Sequence, residues 1–85
     1  MKVTFTRHAL NKQEFLRELG WDISLDLVEG AINNPEFQGQ TKYHQPTAIK
    51  SIDQDHVLRV VYEVRDDIIS VITFHVARKG RYAKP

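Results

Sequence analysis

The chain contains no cysteine. A disulfide framework, a thiolate nucleophile and thiolate metal ligation are therefore excluded, and a reducing compartment is favoured. No stretch approaches the roughly 20 consecutive apolar residues that span a bilayer. Met1-Lys2 runs directly into alternating polar and apolar residues, with no signal-peptide core. The expectation is a cytoplasmic protein with no membrane partner. A glycine-rich phosphate loop, a GxSxG elbow and an HExxH pair are all missing. The histidines His8, His44, His56 and His75 have no carboxylate or thiolate at ligand spacing, and His56 falls at a turn. Neither a metal nor a cofactor is expected. Internal repeats and low-complexity segments are also absent.

What remains is 85 residues, 41% hydrophobic and 27% charged, enough for one small globular domain with a modest core. The formal net charge of +1 conceals an uneven distribution. Between Glu14 and Glu36 stand Glu14, Glu18, Asp22, Asp26, Glu29 and Glu36 against the single base Arg17. After Asp67 the chain carries Arg78, Lys79, Arg81 and Lys84 and no acid. The domain is expected to cover residues 1–85, with a basic tail from about residue 78. That tail is either a solvated end or a surface that faces phosphate.

The best-formed stretch is His56 to Val76, two runs rich in β-branched and aromatic residues around Arg65-Asp66-Asp67, which predicts a hairpin of central strands. A three-residue loop, Asp66-Asp67-Ile68, would set Leu58, Val60, Tyr62 and Val64 opposite Val76, Phe74, Ile72 and Ser70 as one apolar face. The other face would pair Arg59 with His75, Val61 with Thr73 and Glu63 with Val71. A two-residue loop would mix polar groups into both faces, so burial selects the first register.

Ahead of the hairpin, Val3 and Phe5 alternate with polar residues as a short strand, and Thr6 is placed to cap a helix ending at Gly20. Gln13 interrupts the apolar stripe of that helix. Ser24 caps a second helix with Leu27, Val28, Ala31 and Ile32 on one face, stopped by Asn33-Asn34-Pro35. Trp21 lies between the helices as a plug. Short strands are expected over Phe37 to His44 and Ala48 to Asp53. The fold class is α+β: a short N-terminal strand and two helices packed on one face of an antiparallel sheet of about four strands.

Arg59 is the most informative residue, because an unpaired charge inside an apolar strand must face water or meet an anion. His75 shares its face, and His8 opens the first helix. Each has a plain surface reading. Together they would suit metal-independent RNA cleavage, with histidines as acid and base and arginine on the phosphate. Thr73 would position a phosphate oxygen, Arg78, Lys79 and Arg81 would contact the backbone, and Tyr82 would stack a base.

Phe5-Thr6-Arg7-His8-Ala9-Leu10, Ile23-Ser24 leading into Asp26 to Pro35, Leu58-Arg59-Val60-Val61 and Val71-Ile72-Thr73 resemble a prokaryotic family of small uncharacterised domains with an N-terminal Phe-Thr-x-His-Ala motif. That family is grouped with the RelE/ParE-like toxins and the barnase-EndoU-colicin-RelE fold. The segment Glu18 to Ser24 departs from it, being longer than the usual Arg-Gly-Ile-Ser turn. The resemblance implies a RelE-like fold and a toxin-type function, either an endoribonuclease or an RNA or ribosome binder, with His8 and Arg59 at positions that members carry. A non-catalytic module of the same fold binding an antitoxin-like partner is the alternative.

Overall fold

The computed structural model describes residues 2–80. The element order is β1 (Lys2–Phe5), α1 (Arg7–Glu18), α2 (Leu25–Asn33), β2 (Phe37–Gln40), β3 (Pro46–Ser51), β4 (His56–Arg65) and β5 (Ile68–Arg78). The class is α+β, and the sheet has five strands in the order β1-β5-β4-β3-β2 rather than the expected four or so. It is also mixed rather than antiparallel throughout, because β1 runs parallel to β5, pairing Lys2 to Ile68 through Phe5 to Val71. Thr6 ends β1 and sends the chain straight into a helix, and such a connection is what delivers a parallel neighbour. Of the middle strands, β2 stops well short of the expected His44, while β3 keeps six residues but runs from Pro46 to Ser51 rather than from Ala48 to Asp53. Thr41 breaks β2 by accepting from the backbone N–H groups of Tyr43 and Gln45, so the chain turns before His44.

The helices begin where their caps dictate. Thr6 and Ser24 accept from the backbone N–H of Ala9 and Leu27, at 3.1 Å each. Gln13 does not face solvent idly: its side-chain amide donates to the Ile23 carbonyl at 2.8 Å and secures the segment between the helices. Glu14 pairs with Arg17, at 2.9 Å, on the exposed side of α1. Ala9 and Leu16 of α1 join Val28, Ala31 and Ile32 of α2 in one core with Ala48, Leu58, Val60, Ile69, Val71 and Phe74. Both helices thus cover the same side of the sheet.

The β4–β5 hairpin corrects the expected register near its turn. The loop has two residues, Asp66 and Asp67, both left-handed with φ of 52° and 66°, as in a type I′ turn. Tyr62 therefore pairs with Val71, Glu63 with Ser70 and Val64 with Ile69. Ile72 is then an extra residue, and beyond this bulge Val61 pairs with Thr73, Arg59 with His75 and Leu58 with Val76, as the sequence predicted. The bulge explains how Val71 and Phe74, an odd number of residues apart, are both fully buried on the helix side. It is pinned from α1, since Thr6 donates its backbone N–H to the Val71 carbonyl at 3.1 Å and its hydroxyl to the Ile72 carbonyl at 3.0 Å.

The face away from the helices is less open than expected. Ile49, Val57 and Ala77 form a second small cluster there, and Thr47 and Val61 are buried beside them. Among the described residues no helix is long and apolar enough to cross a membrane.

Candidate functional site

Arg59 sits at the middle of the sheet with Ile49 of β3 on one side and His75 of β5 on the other. One register step along, Val61 lies between Thr47 and Thr73. The bulge sets Ile72 and Thr73 side by side on this face, and both line a cavity of about 640 Å³ with Arg59 and Val61. The opposite wall is the end of β2, with Gln40, and the β2–β3 loop, with Thr41, Lys42, Tyr43 and Gln45.

That loop is built rather than loose. The Thr41 hydroxyl accepts from the backbone N–H groups of Tyr43 and Gln45 at 3.2 Å each, and Thr41 N–H donates to the Gln45 carbonyl at 2.9 Å. His44 takes a left-handed φ of 64° that closes the turn, and its ring lies 3.4 Å from the Gln40 side-chain oxygen. The outcome is to hold Lys42 and Tyr43 at the tip, with the ammonium 5.2 Å from the ring centre and Tyr43 71% exposed. Among the described residues, the cavity lining holds two cations, an exposed aromatic ring, two side-chain amides and two hydroxyl-bearing threonines, and no carboxylate. Such a surface can take an anion that carries an aromatic group.

Lys42 and Tyr43 were missed in the sequence. The signal available was Thr41, whose placement before a short polar stretch marks a hydroxyl-capped turn.

The remaining expected site residues are dispersed. His75 is directly opposite Arg59 in the hairpin, yet the cavity it lines is a second one, at the edge of β5. His8 is exposed in the first turn of α1 and lines neither cavity. It lies on the helical row that continues through Lys12, Phe15 and Leu19, which do line the second cavity. Arg78 pairs with His56 and lines that cavity as well. Lys79 is exposed and donates its backbone N–H to the Asp55 carbonyl at 2.8 Å. Arg81 and Tyr82 lie outside the described residues.

Two carboxylates are held below the usual range. For Glu36 the largest cause is the Ser51 backbone N–H at 2.9 Å, followed by the Ser51 hydroxyl at 2.9 Å. This pairing ties the segment after α2 to β3. For Asp53 the largest cause is the Asp55 backbone N–H at 2.7 Å, with further bonds from the His56 ring and backbone.

No family model matches the chain, and neither a curated protein nor a solved structure matches it.

Proposed function

We propose that this is a RelE-like, toxin-type domain that binds RNA or the ribosome through the face carrying Arg59, and that its chemistry is metal-independent RNA cleavage. The observation behind the reading is the company Arg59 keeps. Thr73, Lys42 and Tyr43 share its cavity, and among the described residues no carboxylate lines it to repel a phosphate. Lysine and arginine would meet the backbone, while tyrosine would stack an unpaired base.

In the cleavage step a base takes the proton of a ribose 2′-hydroxyl. The freed oxygen attacks the adjacent phosphorus, and an acid protonates the departing 5′-oxygen, leaving a 2′,3′-cyclic phosphate. His75 is the acid or base nearest Arg59 in the hairpin register, with His8 as the second candidate. Arg59 would stabilise the charge that builds on the phosphate.

The test is to titrate single-stranded RNA and the matching DNA into the protein with chelator present, and to follow RNA length. Wild type is expected to bind RNA and shorten it, and to leave DNA intact. Arg59→Ala should weaken binding about tenfold or more, as loss of a charge-assisted contact does. Equal binding by wild type and Arg59→Ala would overturn the reading of this face. Binding without cleavage would remove the enzymatic half alone.

A second reading is favoured by β2, one of the two edge strands of the described sheet, whose four residues are all exposed and include Phe37. Such an edge accepts an added strand, so an antitoxin-like protein would pair there. A stable protein complex lost in Gly39→Pro, with no RNA affinity, would support it over the first.

A further inference from the structure

The second cavity, of about 530 Å³, is a cleft between α1 and the outer half of β5. Beta1 pairs with β5 only as far as Val71, so the strand from Thr73 to Arg78 runs on beside the helix without a described strand on that side. Lys12, Phe15 and Leu19 form the helical wall, Trp21 and His56 close one end, and His75 and Arg78 come from the strand. No carboxylate is among the described lining residues.

His56 is the organised element of this cleft. Its ring Nδ1 lies 3.0 Å and 3.1 Å from the two carboxylate oxygens of Asp53. An ionised carboxylate only accepts, so Nδ1 carries the hydrogen and Nε2 is the ring atom left for a ligand, as an acceptor. Asp53 is itself fixed by the backbone N–H groups of Asp55 and His56 at 2.7 Å each. Trp21 meets the imidazole edge-on, with ring centres 4.8 Å apart and planes at 66°. The imidazole is thus held from two directions, as a group that presents one nitrogen to a bound molecule must be.

The other walls define what that molecule is. Phe15 is 49% and Leu19 62% exposed, an apolar surface of the kind a nucleobase covers. Lys12 stands 5.4 Å from the Phe15 ring centre, so a cation and a stacking surface are adjacent. Arg78 supplies a second, fork-shaped cation. The volume falls in the range of small-ligand sites. We propose that the α1–β5 cleft binds a nucleoside monophosphate unit, free or within single-stranded RNA. Its base lies against Phe15 and Leu19, its phosphate meets Lys12 and Arg78, and a ribose hydroxyl donates to Nε2 of His56. This site extends RNA recognition to a second surface and does not depend on Arg59.

Trp21 is the only tryptophan of the chain and lines the cleft, so its emission reports on occupancy. Adenosine monophosphate, adenosine, inorganic phosphate and a short single-stranded RNA would each be titrated against that signal. The monophosphate is expected to change it saturably and more tightly than adenosine or phosphate alone. Lys12→Ala and Phe15→Ala, both at sites with substantial solvent contact, should each weaken it about tenfold. RNA competing with the monophosphate places the unit within a strand, whereas a monophosphate response that RNA does not displace marks a free nucleotide.

An unchanged signal up to millimolar monophosphate, confirmed by calorimetry, would overturn the proposal. So would phosphate binding as tightly as the monophosphate, which leaves the apolar wall without a role, or an acidic peptide displacing the nucleotide with far higher affinity. Arg59→Ala separates the two surfaces. RNA binding lost with the Trp21 response to monophosphate intact sustains both sites, whereas RNA binding insensitive to Arg59 with that response intact removes only the sheet-face reading.

Discussion

Asp53 gathers three donors on one side chain: the backbone N–H groups of Asp55 and His56, and the His56 ring. Each bond favours the ionised form, with the Asp55 N–H the largest contributor, so the folded pKa lies below that of the unfolded chain. The sign of the linkage follows. The unfolded chain binds the proton first, so the stability contributed by Asp53 is complete above the ordinary carboxylate range and declines as pH falls through the folded value. Asp53→Asn should flatten the acid limb of a stability curve without abolishing it, because Glu36 is depressed in the same way by Ser51. Urea midpoints taken at neutral pH and across the acid range would check this, and an acid limb as steep as wild type would show that Asp53 carries no linkage. Single residues were unevenly legible in the sequence. Thr6 and Ser24 announced their caps through residue type and position. Gln13 looked like a fault in an apolar stripe because its partner, the Ile23 carbonyl, belongs to a connection whose path no periodicity encodes. The Asp53–His56 pair looked like a turn and nothing more, since its relation to Trp21 is tertiary.

The hairpin holds the same lesson at the scale of an element. Alternation required Arg59 opposite His75, and the structure has that pairing. Alternation carried on to the turn required a three-residue loop, and there the chain does otherwise. A two-residue turn suits the twist of adjoining strands, and the extra residue is absorbed at Ile72. Glycine often marks such a bulge, but Ile72 and Thr73 are ordinary strand formers, so composition left no trace of it. Its position is set by Thr6, which bonds to the carbonyls of Val71 and Ile72 from the start of α1. The turn itself is testable. Asp66 and Asp67 both occupy left-handed backbone, which costs side-chain-bearing residues energy that glycine avoids. The double substitution Asp66→Asn and Asp67→Gly should raise stability by roughly 1 kcal/mol. An upward shift of the urea midpoint at unchanged slope is the expected result, and a downward shift would rule out the type I′ turn.

Over the whole molecule, the sheet separates two environments. Helices that carry Glu14, Glu18, Asp26 and Glu29 cover one side, while Arg59 and Lys42 line a cavity on the other, and Lys12 and Arg78 line a cleft at the β5 edge. The sequence made the first division readable, because hydrophobic period distinguishes the covered face from its opposite. It left the cavities unread, since each joins segments far apart in the chain: Lys42 with Thr73, and Lys12 with His56. His8 shows the limit from the other direction, being prominent in a motif yet lining neither cavity. If both surfaces engage one RNA strand, Lys12, Lys42, Arg59 and Arg78 neutralise phosphates together, and condensed counterions are released on binding. For single strands the logarithm of the affinity falls against the logarithm of salt by about 0.7 per phosphate neutralised, so four contacts predict a slope of about −3. Lys42→Ala and Lys12→Ala should each flatten the slope by about 0.7, and the double variant by about twice that. Fluorescence anisotropy of a labelled RNA across a salt series measures it. A slope that changes with Lys42 but not with Lys12 would confine the strand to the sheet face. A slope near zero would mean that neither surface meets phosphate, and the apparent charge complementarity of both cavities would then have no bearing on RNA.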